Sequence, residues 1–144
     1  MGNVADCKQI ELPVVADPQG NLAFADGESQ VPFPISRVFY VYDVPGDAAR
    51  GGHSHRTLEQ VVFCVAGRLE IEVDDGTRRR TFVLDDPRRG LYLPPLVWHD
   101  IGGFTPGTVY LGLPSADFDE ADYIRDYDDY LAAARAAEVN ASPA

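Results

Sequence analysis

The chain holds three histidines, His53, His55 and His99. Two of them fall one residue apart in Gly52-His53-Ser54-His55. Residues two apart on a β-strand project to the same side of a sheet. His53 and His55 therefore share a face, and Glu59 shares it if the strand is regular. His99 comes later, in Pro94-Pro95-Leu96-Val97-Trp98-His99. A sheet that closes on itself could bring all four groups together inside. Two chemistries use such a set. Two His, a Glu and a third His form a ligand set that a divalent transition metal accepts. The same imidazoles without metal serve as general acids and bases, because they titrate near neutrality.

The elements that must hold these groups are mostly strands. Turn signals recur about every ten residues, the spacing of an all-β sandwich or barrel. Strands are expected over Lys8 to Val15, Asn21 to Ala25, Ile35 to Val44 and Glu59 to Val65. Leu69, Ile71 and Val73 alternate with Glu70, Glu72 and Asp74, which predicts a half-buried strand with one wet face. Asp75-Gly76 reads as a tight hairpin turn that returns along Arg79 to Leu84. Gly90 to Pro94, Val97 to Ile101 and Thr108 to Leu113 complete the set. The last segment changes period. Tyr123, Ile124, Tyr127, Tyr130, Leu131 and Ala134 recur at helical spacing, which predicts a short C-terminal helix with its aromatic stripe on the sheet. Ser115 or Asp117 is the expected cap. One domain is expected over 1–144, with a core over roughly 8–131 and a fraying tail over 132–144.

Composition narrows the partners. With 144 residues, 45% of them hydrophobic, the chain can build one real core. A net charge of -11 argues against binding nucleic acid non-specifically or docking on an anionic membrane. No apolar run approaches the roughly 20 residues of a membrane helix. The N-terminal residues lack the basic and apolar regions of a signal peptide. Cys7 and Cys64 are too few for a disulfide scaffold, and a reduced, cytoplasmic protein is expected. Arg78-Arg79-Arg80 and Arg88-Arg89 read as solvated hairpin ends.

Longer strings carry a family resemblance. They are Arg37-Val38-Phe39-Tyr40-Val41-Tyr42-Asp43-Val44-Pro45, Arg50-Gly51-Gly52-His53-Ser54-His55, Leu58-Glu59-Gln60-Val61, Gly90-Leu91-Tyr92, Val97-Trp98-His99 and Asp122-Tyr123-Ile124-Arg125-Asp126-Tyr127-Asp128. Together they resemble the nucleotide-sugar 3,4-ketoisomerases, the WxcM-like cupins, over roughly residues 8 to 131. The resemblance implies an all-β cupin, a double-stranded β-helix or jelly roll, with a short C-terminal α-helix. It implies a homodimer that moves the ketone of dTDP-4-keto-6-deoxyglucose from C4 to C3 without metal or organic cofactor.

Carried over by position, His53 and His55 become the paired active-site histidines and His99 the later one. The resemblance also brings in Arg37, Tyr40 and Arg50. His53 is the expected main base and His55 its partner in protonation or in polarising the oxygen. His99 and Tyr40 would hold sugar oxygens, Arg37 and Arg50 the diphosphate, and Trp98 would stack on the base. Glu59 joins them as a substrate-side group. Three positions depart from the family: Ser54 stands where Ala is usual, Phe39 where Tyr is common, and Gln19 where Arg is frequent. Two alternatives stay open. One is a metal-dependent cupin enzyme with His53, His55, Glu59 and His99 as ligands. The other is a sugar-binding cupin without turnover.

Overall fold

The computed structural model describes residues 2–141. Twelve strands appear in chain order: β1 (Lys8–Glu11), β2 (Val14–Asp17), β3 (Gly20–Ala23), β4 (Phe39–Val41), β5 (Arg50–His55), β6 (Gln60–Ala66), β7 (Leu69–Asp74), β8 (Arg79–Leu84), β9 (Arg89–Leu93), β10 (Trp98–Gly102), β11 (Val109–Pro114) and β12 (Tyr123–Ile124). A helix, α1 (Tyr127–Ala141), closes the chain. Two antiparallel five-stranded sheets form the roll, ordered β1-β9-β6-β11-β4 and β12-β5-β10-β7-β8, and β2 and β3 pair only with each other. This is the jelly roll that the family resemblance implies.

Period-two patterning builds the core. Leu69, Ile71 and Val73 of β7 point inward and are fully buried, as are Val62 and Cys64 of β6. The alternate residues of β6, Val61 and Phe63, bury on the outer side of the first sheet under Val31 and Phe33 of the preceding loop. Behind the second sheet lies a third cluster, in which Trp98 and Ile124 pack against Tyr130 of α1.

Several expected boundaries move for local reasons. Lys8 to Val15 splits at Pro13, which has no N–H to give a ladder. β1 joins β9, whereas β2 leaves to form the hairpin with β3. Of Ile35 to Val44, only Phe39 to Val41 is paired as a strand. Asp74 is buried and not on a wet face, because the Tyr127 hydroxyl of α1 donates to its Oδ2 at 2.7 Å and Arg79 at 3.1 Å. Tyr123 and Ile124 are not helical; they pair with His55 and Ser54 of β5. The cap of α1 is Asp126, whose Oδ1 accepts from Asp129 N at 2.9 Å. Ser115 and Asp117 hold loops instead, through Glu59 N and the Ser36 hydroxyl. The segment expected to fray from 132 continues as helix to Ala141, in keeping with the high helix propensity of alanine, and 142–144 lie outside the described residues.

Candidate functional site

The strand β5 carries the paired histidines, and its first half explains their placement. Gly51 and Gly52 have φ of 91° and 66°, backbone that disfavours a side chain. A Cβ on Gly51 would also lie 2.9 Å from the His99 carbonyl oxygen. The β10–β5 ladder pairs His99 with His53 and Asp100 with Gly51, so Gly52 is the extra residue of a bulge. The Gly-Gly pair thereby sets the register that puts His53 directly across from His99.

The three rings converge. Their centroids lie 4.6 Å (His53–His99), 5.0 Å (His53–His55) and 6.2 Å (His55–His99) apart. One ring nitrogen from each falls within 4.8 Å of the others. Tyr123 of β12 packs on both members of the pair, 4.4 Å from His55 and 5.0 Å from His53. A cavity of about 250 Å³ opens over them, lined also by Arg37, Phe39, Arg50, Gln60 and Tyr110.

Electrostatics keep all three imidazoles neutral near pH 7. Burial pushes His53 below its ordinary value, with the nearby Gly51 carbonyl opposing. Burial, then the neighbouring His53, pushes His55 down to about 4. Full burial and the two other histidines hold His99 well below its usual range. Neutral imidazole has one lone pair and one N–H, so the cluster can accept a proton at one atom and donate at another. Arg37 and Arg50 stand on the cavity wall with no acidic partner among the described residues. Arg37 donates only to the Ala116 carbonyl, at 3.3 Å. In a chain of net charge -11, two unpaired guanidinium groups at one cavity suit an anionic ligand.

Five expected site residues therefore meet: His53, His55, His99, Arg37 and Arg50. Three do not, two of them because strand alternation turns them away and one because a turn breaks the alternation. Tyr40 alternates with Phe39 and Val41, which face the cavity, so it points to the opposite side, is 61% exposed and lies 6.0 Å from Tyr42. Trp98 alternates with His99 and lies behind the sheet, 5.3 Å from the Tyr127 ring, its indole N–H donating to Asp100. Glu59 precedes β6, after a turn that breaks the alternation begun in β5. Its carboxylate accepts from the Tyr92 hydroxyl at 2.8 Å in a different pocket, and Gln60 takes the cavity position. The four-ligand His/Glu set is thus not assembled.

Sequence reasoning missed Gln60, Tyr110 and Tyr123 as lining residues, and Asp122 beside His55. Gln60 and Tyr110 were legible from strand parity: Gln60 alternates with inward Val62, and Tyr110 pairs with Val41.

Comparison with known proteins agrees with this geometry. Residues 5–135 match the family model described as FdtA: WxcM-like, C-terminal. A TDP-4-oxo-6-deoxy-alpha-D-glucose-3,4-oxoisomerase of Aneurinibacillus thermoaerophilus is 39% identical over 123 residues, 85% of this chain and 88% of that protein. The structure of QdtA, a sugar 3,4-ketoisomerase from Thermoanaerobacterium thermosaccharolyticum in complex with TDP, superposes with a TM-score of 0.91 at 38% identity, covering 94% of this chain and 98% of that one. The WlaRB TDP-quinovose 3,4-ketoisomerase of Campylobacter jejuni gives 0.86 at 35% identity, over 90% and 99%. The chain belongs to the WxcM-like, C-terminal (FdtA) family.

Proposed function

We propose that this family member is a TDP-sugar 3,4-ketoisomerase that converts TDP-4-keto-6-deoxyglucose into the 3-keto isomer. The observation that carries the reading is the meeting of three histidines in one cavity walled by two arginines that have no acidic partner among the described residues. Its relatives of 35–39% identity are named as sugar 3,4-ketoisomerases or 3,4-oxoisomerases, one of them for TDP-4-oxo-6-deoxyglucose.

The isomerisation moves two protons off and two back, with no external oxidant or reductant. The C3 proton leaves to a base, and the C–H electrons form the C3=C4 bond of an enediolate while charge grows on O4. The O3 proton leaves as the C3 carbonyl forms. One proton then returns to C4 and one to O4. His53 serves as the carbon base and returns its proton at C4. His55 handles the oxygens. His99, whose ring faces His53, holds a sugar oxygen. Arg37 and Arg50 take the diphosphate, where a guanidinium offers paired N–H donors.

A homodimer accompanies this reading. All residues of β2 and β3 are exposed, although Val14, Val15 and Leu22 are apolar. A lone two-stranded hairpin is marginal in water. The outer face beside it carries exposed Val38, Tyr40 and Val65, an apolar surface that a second copy would cover. Tyr40 thus moves from the sugar to the subunit contact. The two free cysteines fit the reducing cytoplasm, where soluble sugar nucleotides are made.

The test is incubation of the purified protein with TDP-4-keto-6-deoxyglucose in D2O, with and without chelator, followed by proton NMR. A 3-keto sugar carrying deuterium at C4, formed equally with chelator, is the expected result. Its coupling constants assign galacto or gluco configuration. Activity lost with chelator would return the histidines to metal ligation, and binding without turnover would make the chain a sugar-binding module.

A further inference from the structure

The reaction above gives no role to the string Asp122-Tyr123-Ile124-Arg125, yet its first residue sets a carboxylate beside His55. Asp122 ends a single 3-10 turn, Glu120–Asp122, whose own start is capped by Asp119. Its carbonyl accepts from Arg56 N at 2.8 Å. Its carboxylate Oδ1 accepts from Thr57 N at 2.9 Å and from the Thr57 hydroxyl at 2.7 Å. Oδ2 accepts from Leu58 N at 3.1 Å and lies 3.7 Å from His55 Nδ1. Three donors from the turn after β5 therefore fix this carboxylate, and they leave Oδ2 with a lone pair directed at no other described donor. On the other side, His55 Nδ1 is sealed from solvent with no hydrogen-bond partner. The remaining nitrogen of that ring, Nε2, is the one left to the cavity.

We infer that Asp122 is a positioning residue for proton transfer: it holds the His55 proton on Nδ1, so that the Nε2 lone pair meets the substrate. The physical ground is simple. A neutral imidazole carries a hydrogen on one nitrogen and a lone pair on the other. A hydrogen facing a carboxylate oxygen is attracted, whereas a lone pair facing it is repelled. At 3.7 Å the contact is longer than a hydrogen bond. Such catalytic contacts in ligand-free proteins tighten when substrate closes the site. Burial, His53, Arg125 and Arg37 disfavour the charged ring of His55, and Asp122 opposes them in part. His55 thus enters turnover as an acceptor, takes the O3 proton as the C3 carbonyl forms, and passes it to O4 as a cation that Asp122 stabilises. Two protons are moved by two imidazoles, and among the described residues His55 is the one with a carboxylate oxygen within 4 Å of a ring nitrogen.

This assignment rests on the isomerase reading for its catalytic consequence, but its structural content can be measured without turnover. The experiment uses the full chain labelled with 15N-histidine and long-range 1H–15N NMR at neutral pH, alongside kinetics on TDP-4-keto-6-deoxyglucose. The wild type is expected to show His55 with its proton on Nδ1. Asp122→Asn is expected to shift the ring toward the other tautomer. It should lower kcat between about 10- and 10⁴-fold, the range for loss of a histidine-orienting group, with KM little changed. Thr57→Val removes one bond to the same carboxylate without touching His55, and should leave tautomer and kcat as they were. A wild-type His55 protonated on Nε2 would overturn the inference. So would Asp122→Asn that keeps both tautomer and rate, or one that loses rate while keeping the tautomer, which would make Asp122 a loop brace only. If Asp122→Asn does not fold, the wild-type tautomer decides. If the wild type shows no turnover of this sugar, the isomerase reading fails while the tautomer result still stands.

Discussion

The front and the back of the strand pair β5–β10 treat polar groups in opposite ways. At the back, under α1, polar atoms are almost all matched: the Tyr130 hydroxyl shares its one hydrogen between the carbonyls of Asp74 at 3.0 Å and Leu96 at 2.9 Å, and Tyr127 donates to the Asp74 carboxylate. At the front, the Nδ1 atoms of both His55 and His99 are buried with no partner. Unpaired buried polar atoms cost free energy, so a fold keeps them where something else is gained. The same two strands supply both faces by alternating residues. His53 and His55 face the cavity, and Ser54 between them faces the helix; His99 faces the cavity, and Trp98 beside it faces the helix. One side has been built for stability and the other for reaction.

Substitutions on the two sides should separate these roles. The largest effect is expected at the front. His53→Asn should lower kcat by about 10²–10⁴-fold, the range for loss of a general base, with the urea midpoint little changed. A fall in stability in proportion to the rate would erase the distinction. At the back, Tyr130→Phe leaves two buried carbonyls without their donor. A loss of about 1–3 kcal/mol in urea unfolding is expected, with residual enzyme in the folded fraction turning over normally.

Acid should weaken the front before the back. The unfolded chain binds protons at histidines of ordinary value 6.5, while the folded His55 does so only near 4, and His53 and His99 are also lowered. Between those values the unfolded state holds more protons, so stability is full above about 6.5 and is lost as pH falls toward 4. Thermal melts across that window should show the slope, and His55→Asn should flatten it. The smallest effect concerns a polar atom at the back that is not matched. Ser54 is fully buried and its hydroxyl has no partner. Ser54→Ala should raise stability by up to about 1 kcal/mol and leave kcat unchanged. A loss instead would mean that the hydroxyl is bonded in solution.

Much of this was legible from residue order alone, and the failures share a cause. Alternation found the inward residues of β7 and the shared face of His53 and His55. The same rule, applied strictly, rejects Tyr40 beside Phe39 and Trp98 beside His99 for the cavity. The resemblance places Tyr40 there, and aromatic character alone suggests Trp98. Glu59 failed because even spacing counts only within one unbroken strand, and the chain turns between His55 and Gln60. The bulge at Gly51-Gly52 and the reach of Asp122 back to Thr57 and Leu58 arise from tertiary pairing between distant segments, which no short-range pattern encodes. The helical stripe ran too far for a related reason: Tyr123 and Ile124 have helical spacing, but the open edge of β5 offers their backbone a ladder.

The pairing of His53 with His99 also fixes when the site can exist during refolding. The two strands are neighbours in space but are separated by four intervening strands of chain, and such long closures come late and slowly. The chain has one tryptophan, and it sits on the second of those strands with its ring against α1. Its emission therefore follows the arrival of the helix at the back, while enzymatic turnover follows closure at the front. In a stopped-flow refolding run, the interval between the two signals times the last step by which a folded polypeptide becomes a working catalyst.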